Sequence, residues 1–348
     1  MRKDIKDMID DVIILGIETS CDETAAAVVV NGCKVLSNVI ASQIDIHREY
    51  GGVVPEIAAR KHVESVSYIV KEALRQANIL LADVNGIAVS NGPGLVGALL
   101  VGLSYAKALA FTRRIPLIGV HHIYSHICAN YLDEAANWEP PFMCLVVSGG
   151  HTHLIEVMDY HNCRVLGRTR DDAAGEAFDK VGRVLGLPYP GGPEIDRLAK
   201  HGDAKAIVFP KTTFEDSLDF SFSGLKSAVL QYLQKNKKDD GFDINVADVA
   251  ASFQQTAIDV LVSRTLDACE QSRLTKVALA GGVAANGRLR EAMAAACAER
   301  GLTLNLPPGV YCTDNAAMVA SGGYYRYIKG VSDSYDLNAY PNMDIVGM

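Results

Sequence analysis

The chain has 348 residues, 33 Lys and Arg against 41 Asp and Glu, a net charge of −8 and a hydrophobic fraction of 49%. That length suits two domains or one large two-lobed one, and the apolar fraction excludes a disordered chain. The acidic balance argues against a surface that grips nucleic acid everywhere, while leaving room for local basic patches.

Residues 1–11 are too charged for a secretory signal. Apolar strands are expected at 12–17, 26–30 and 34–40. Pro55 then opens an amphipathic helix over 55–78, with Ile57, Val63, Val66, Ile69, Val70, Ala73 and Leu74 on one side. A strand at 86–90, a helix at 94–111, a strand at 117–119 and a helix at 121–132 follow. The 94–111 stretch contains Ser104 and Lys107 and is short for a membrane span, so it reads as a buried core helix.

The pattern then restarts. Strands at 142–148, 153–158 and 164–169 precede helices at 175–185, 194–201, 223–235 and 246–272. A strand at 277–280, a helix at 285–300, a strand at 302–306 and a helix at 314–328 complete it. The order is that of an α/β protein holding two copies of strand–strand–strand–helix–strand–helix, the second with a helical insertion. The turns at 16–20 and 147–151 correspond between the copies, as do those at 90–94 and 280–286. The eight cysteines include no CxxC pair and read as scattered thiols of a reducing compartment. A soluble cytoplasmic protein with no membrane partner is expected.

Chemistry concentrates in five places. Glycine-rich turns at 91–94, 148–151, 190–193 and 281–286 suit the backbone approach of an anion, and as a set suggest a nucleotide or phosphate ligand. No GxxxxGK[ST] or GxGxxG sequence occurs. His122 and His126 are four apart, so on a helix they share a face and suit one metal, with a third ligand from elsewhere; a pair of ordinary core histidines has the same spacing. The stretch Glu18-Thr19-Ser20-Cys21-Asp22-Glu23-Thr24 masses carboxylates and hydroxyls at a strand end, which suits acid–base work or metal-bound phosphate. Asp171 and Asp172 read as helix caps, Glu176 and Lys180 as a surface pair, and Asp179 as a carboxylate near the Gly191-Gly192 turn and Asp196. Asp314 reads either as a helix cap or as a ligand to a cation.

Together these segments resemble the bacterial TsaD family, formerly Gcp or YgjD. The resemblance rests on GIETSCDET (16–24), PEIAARKH (55–62), NGPGLVGALLVG (91–102), HHIYSH (121–126), VSGGHTHL (147–154), DDAAGEAFDKVGRVLGLPYPGGPEID (171–196), FSFSGLKSAV (220–229), AGGVAANGRLR (280–290) and YCTDNAAM (311–318). It implies the actin-like ATPase fold of actin, sugar kinases and heat-shock chaperones, with two duplicated lobes and a ligand cleft between them. The N-terminal lobe would comprise 1–137 and 313–348, and the C-terminal lobe 138–312 with an insertion at about 203–272. The 16–20 and 147–151 hairpins would be phosphate loops, and 280–286 the adenosine loop.

The implied activity is transfer of threonylcarbamoyl from threonylcarbamoyl-adenylate to N6 of the adenosine next to the anticodon, in tRNAs reading A-starting codons, with release of AMP. By match, His122, His126 and Asp314 would hold one iron or zinc ion (Fe²⁺ or Zn²⁺). Val147, Ser148, Gly149, Gly150, His151, Asp179, Gly192, Asp196 and Asn286 would hold the adenylate, and Asp22 and Glu23 lie near the reacting group. The implied partners are tRNA, a TsaB paralogue bound through the N-terminal lobe, the TsaE ATPase, and TsaC as supplier of the adenylate. Alternatives are a metalloprotease, against which the missing HExxH glutamate counts, and an actin-fold ATPase or kinase. Basic groups for tRNA phosphates are Arg113, Arg114, Arg168, Arg170, Lys235, Lys237 and Lys238.

Overall fold

The computed structural model describes residues 11–132, 137–238, 241–242 and 244–345. The charged opening segment 1–10 and residues 346–348 lie outside them. The chain divides into two compact units: the described residues of Met1–Gln43, Val53–Trp138 and Asp314–Ile345 form the first, and those of Ile44–Gly52 and Glu139–Thr313 the second.

The first unit is built on strands β1 (Ile13–Glu18), β2 (Glu23–Val30), β3 (Lys34–Ser42), β4 (Gly86–Gly92) and β5 (Leu117–His121), in the order β3-β2-β1-β4-β5. The hairpins β1-β2 and β2-β3 are antiparallel, whereas β1-β4 and β4-β5 are parallel. Strands β1, β4 and β5 are buried throughout, which is why they read as unbroken apolar runs rather than alternating ones. The short helix α1 (Ile44–Arg48) belongs to the second unit. Helix α2 (Pro55–Ala77) starts on Pro55 and stops where Asn78 turns left-handed at φ 55°. With α3 (Val96–Arg113) it covers one face of the sheet, Val66, Ile69, Leu99 and Leu103 packing on Leu15, Ile17 and Val28.

The remaining helices of this unit are α4 (His122–Cys128) and α11 (Ala316–Ile328). Helix α11 packs on β1, β4 and α4 through small residues. A Cβ on Gly16 would lie 2.2 Å from Ala316 O, and one on Gly323 would lie 2.3 Å from Ala88 Cβ. Gly16 lets the start of the last helix rest directly on the first strand, and Gly323 lets its later turns rest on β4.

The second unit repeats the plan: β6 (Phe142–Val147), β7 (Thr152–Asp159), β8 (Asn162–Arg168), β11 (Lys276–Ala280) and β12 (Thr303–Asn305), in the order β12-β11-β6-β7-β8. Its pairings are again two antiparallel and two parallel, so the order of elements carried the duplication although the residues do not repeat. Its helices are α5 (Ala174–Val184), α6 (Gly191–Ala199), α7 (Ser223–Lys235), α8 (Val246–Ser272), α9 (Gly287–Glu299) and α10 (Gly309–Cys312). A two-residue hairpin, β9 (Lys237–Lys238) with β10 (Gly241–Phe242), lies between α7 and α8. Expected helices are shorter than their patterns, among them 314–328, which begins only at Ala316 after its cap Asn315. The 121–132 stretch is α4 followed by a 3-10 turn at Ala129–Tyr131, and 285–300 begins only at Gly287, because Asn286 caps it.

Candidate functional site

Strand β5 ends at His121 and α4 begins at once, so His122 and His126 stand one turn apart on a fully buried helix. Asp314 meets them from the approach to α11. That helix is capped by Asn315, whose side chain accepts from Met318 N at 3.0 Å. The Asp314 carboxylate is therefore released from capping, and its Oδ1 lies 3.1 Å from His126 Nε2 and 3.6 Å from His122 Nε2. One donor atom from each of the three residues falls within a 4.8 Å circle.

The donor set fits a metal ion. His126 is fully enclosed; neither ring nitrogen makes a hydrogen bond, and the charged group that Nε2 faces is the Asp314 carboxylate. A buried polar atom in that condition is costly, and a cation accepting the Nε2 lone pair removes the cost. Two imidazoles and one carboxylate suit iron or zinc better than magnesium or calcium.

The second nitrogen of His122 is held from behind. Its Nδ1 lies 3.2 Å from Glu18 Oε2 and 3.1 Å from Ser20 Oγ. Glu18 is completely buried and also accepts Ser20 N–H and the Ser90 hydroxyl, each at 2.5 Å. Burial pushes the Glu18 carboxyl up, but the charge and hydrogen bond of His122, with the Ser90 bond, bring it below its ordinary value. Burial likewise opposes a charge on His122, yet Asp314 and Glu18 raise it to about 9. The Glu18 acceptor places the His122 proton on Nδ1 and leaves Nε2 directed at Asp314, the carboxylate–histidine arrangement that orients metal ligands. In the sequence Glu18 stands out only as one of the polar residues of the first hairpin. Its signal was a carboxylate closing a wholly apolar strand.

Asp22 and Glu23 lie at the turn into β2, Asp22 buried and Glu23 half-buried. Burial, then the charges of Asp22 and Asp314 and a hydrogen bond with Asp22, push the Glu23 carboxyl up to about 9, while Ser42 Oγ donates to it at 3.1 Å. His62 on α2 fastens this turn: its Nδ1 is 2.8 Å from Thr24 Oγ1 and its Nε2 2.9 Å from the Cys21 carbonyl. The sequence offered His62 only as the end of the PEIAARKH stretch. Thr19 and Ser20 point inward, Thr19 Oγ1 sitting between Ala98 O at 2.9 Å and Gly102 N at 3.2 Å. The first hairpin thus spends its hydroxyls on α3, on His122 and, through Thr24, on His62 of α2.

The expected adenylate residues all belong to the second unit, around the ends of β6 and β11. The hairpin after Val147 closes through Ser148 N–H to His151 O at 2.8 Å and His151 N–H to Ser148 Oγ at 3.1 Å. Gly149 and Gly150 are exposed, and a Cβ on either would meet nothing within 4 Å. Gly281, at φ 88°, sits where a Cβ would lie 2.3 Å from Val147 O, so this turn backs onto the hairpin. Asp179 on α5 accepts Gly191 N–H at 2.8 Å and Gly192 N–H at 3.4 Å, capping α6. Asp196 on α6 reaches Gly287 N at 3.3 Å with Oδ2, while its enclosed Oδ1 has no hydrogen-bond partner. Asn286 accepts from Leu289 N at 2.9 Å and donates to Gln254 Oε1 at 2.8 Å. Asp179 and Asn286 thus do structural capping that the sequence reading had not assigned them.

Other candidates are explained by the fold. A Cβ on Gly92 would lie 2.3 Å from Tyr340 O and one on Gly94 would lie 2.6 Å from Ser20 O, so the 91–94 turn is glycine-rich because backbone crosses it closely. Asp171 caps α7 by accepting Phe222 N–H at 2.9 Å and the Ser223 hydroxyl at 2.7 Å. Asp172 binds Lys180 and Lys226 at 2.8 Å each.

Residues 34–321 match the family model described as TsaD: tRNA N6-adenosine threonylcarbamoyltransferase. A Clostridium botulinum (strain Kyoto / Type A2) protein named tRNA N6-adenosine threonylcarbamoyltransferase is 58% identical over 339 residues, spanning 97% of this chain and 99% of that one. A Clostridium novyi (strain NT) protein of the same name is 56% identical over 348 residues, spanning 99% of each. Among solved structures, T. kodakarensis HypF is similar with a TM-score of 0.62 at 15% identity, over 94% of this chain and 49% of that chain. Full-length HypF in its phosphate- and nucleotide-bound form gives 0.60 at 13% identity, over 92% of this chain and 47% of that one. The fold is the actin-like ATPase fold.

Proposed function

From a chain that belongs to the TsaD family of tRNA N6-adenosine threonylcarbamoyltransferases, we propose a transferase that moves threonylcarbamoyl from threonylcarbamoyl-adenylate to N6 of the adenosine next to the anticodon, in tRNAs reading A-starting codons. The observation that carries the reading is the buried His122–His126–Asp314 set backed by Glu18. His122, His126 and Asp314 would hold one Fe²⁺ or Zn²⁺, which would supply positive charge for phosphate oxygens.

The chain's own residues perform the rest. The donor is a mixed anhydride and already activated, so no protein nucleophile is needed. The N6–carbonyl carbon bond forms, the carbon–oxygen bond to AMP breaks, and N6 gives up one proton. Asp22 accepts that proton. Glu23, whose carboxyl burial and its acidic neighbours push up to about 9 in the metal-free protein, shares a hydrogen bond with Asp22 and holds it in place. Gly149 and Gly150, with open space above their backbone, and Asp179, Gly192, Asp196 and Asn286 at the neighbouring helix starts, hold the adenylate. The position after His122 is Ile123, which is buried and carries no carboxylate for protease chemistry.

The enzyme works in the cytoplasm. TsaC supplies the adenylate, TsaE joins as an ATPase, and a TsaB paralogue docks on the first unit. The exposed Val63 and Tyr68 of α2 and Val96 and Leu100 of α3 support that surface. The test is mass spectrometry of tRNA nucleosides from cells depleted of this protein. Threonylcarbamoyladenosine falls on depletion and returns with the wild-type chain but not with His126→Ala. An unchanged nucleoside after depletion would overturn the proposal.

A further inference from the structure

Beyond α11 the chain runs back across the first unit as a strap. Asp333 N donates to Leu117 O at 2.8 Å, and Asp333 Oδ2 accepts Gly119 N–H at 2.7 Å. Phe111 and Tyr335 meet edge to face with ring centres 5.5 Å apart. Tyr340 N donates to Asn91 O at 2.8 Å, and Gly94 N donates to Pro341 O at 3.2 Å. Ala339 and Ile345 are buried. These contacts are mostly backbone to backbone, so the residues 333–345 are held in register and not merely collapsed on apolar surface.

The strap ends on the residue that starts the metal-bearing helix. His121 is buried, 2% exposed, and its Nδ1 lies 3.1 Å from Ile123 N, capping α4. An amide nitrogen can only donate, so His121 Nδ1 carries no proton and Nε2 does. Nε2 lies 3.1 Å from Met343 O and donates to it. One neutral imidazole thus joins the strap to the first turn of the helix whose next residue is His122.

We propose that the strap is a working part of the metal centre: through Met343 O and His121 it seats α4, so that His122 and His126 converge on Asp314. His121 is a positioning residue, because it acts on the ligands through the helix and touches no reacting atom. The inference rests on the metal reading of the three ligands, and it assigns a task to the segment beyond the last helix.

The test is Co²⁺ titration of the metal-free full-length protein, followed by the visible absorption of the bound ion and well below the unfolding temperature. Asn at position 121 keeps an oxygen where Nδ1 caps α4 but does not reach Met343, so His121→Asn cuts the link and preserves the cap. A chain ending at Tyr335 removes the link from the other side. Each change weakens Co²⁺ binding about tenfold, the lower end for partners that orient a metal ligand. The two together weaken it no further, because both remove the same connection. Wild-type affinity in His121→Asn, or losses that multiply in the double variant, overturns the proposal. If the shortened chain does not fold, the His121→Asn affinity alone decides, with a tenfold loss for the proposal and none against it. A His126→Ala chain that binds Co²⁺ as well as wild type sinks the metal reading itself and the strap with it.

Discussion

Two carboxylates adjacent in sequence, Asp22 and Glu23, separate in role because their surroundings differ. Glu23, pushed up to about 9, binds a proton in the folded metal-free protein over a range in which the unfolded chain has released it. The folded state then holds more protons between about pH 4.5 and 9, so this group's contribution falls as pH rises through that window. Glu23→Gln removes it. The metal-free Glu23→Gln protein should melt higher than wild type at pH 8 and equally at pH 4.5, as followed by calorimetry across pH. In single-turnover assays on preformed adenylate, Asp22→Asn should slow transfer at least about 100-fold, the lower value for a lost general base, and Glu23→Gln much less. Equal losses would reassign the acceptor. The His122–His126 spacing was legible at this scale because i,i+4 residues always share a helix face. Asp314 was ambiguous, since a helix-start aspartate caps as readily as it ligates. In the fold the neighbouring Asn315 takes the cap, and the Asp314 carboxylate lies beside the two histidines.

Elements were legible where burial is one-sided or total, as in α2 or β1, and less so where a side chain from elsewhere ends them. Helix α3 shows the difference. Its apolar run predicted the helix, but Gly102 in its middle has a tertiary reason: a Cβ there would sit 2.4 Å from Thr19 Oγ1, which lies within the helix's own hydrogen-bond ladder. Gly323 serves α11 in the same way against Ala88. Gly102→Ala and Gly323→Ala should each cost about 1–3 kcal/mol by overpacking, seen as lower melting temperatures, while Gly150→Ala, with open space above it, should melt as wild type.

For the whole molecule, the charge of −8 is partly local. Glu18, Asp22, Glu23 and Asp314 cluster around one cation site, which leaves the rest of the chain closer to neutral than the total suggests. Of the basic groups expected to meet tRNA, Arg170 is engaged by Asp219 at 2.8 Å and lies 3.9 Å over the Phe214 ring. Arg113, Arg114, Arg168, Lys235 and Lys237 are exposed. With a net charge of −8 on the chain, tRNA binding by this chain alone should be weak. Raising KCl from 50 to 200 mM should reduce it at least about tenfold, the effect of two or three phosphate contacts, as read by filter binding. Salt-independent tight binding would contradict this.

The amino-acid sequence by itself determined the α/β class, the duplicated order of strands and helices, the histidine pair and the acidic hairpin. These follow from periodicity and spacing along one chain, which local geometry converts directly into faces and turns. Only the tertiary structure decided that Glu18 stands behind His122, that His62 fastens the acidic turn, that the 91–94 glycines admit a close backbone crossing, and that residues 333–345 return to His121. Each of those is a contact between segments far apart in sequence. It depends on which small residues let two elements approach, and no periodicity within either segment records it.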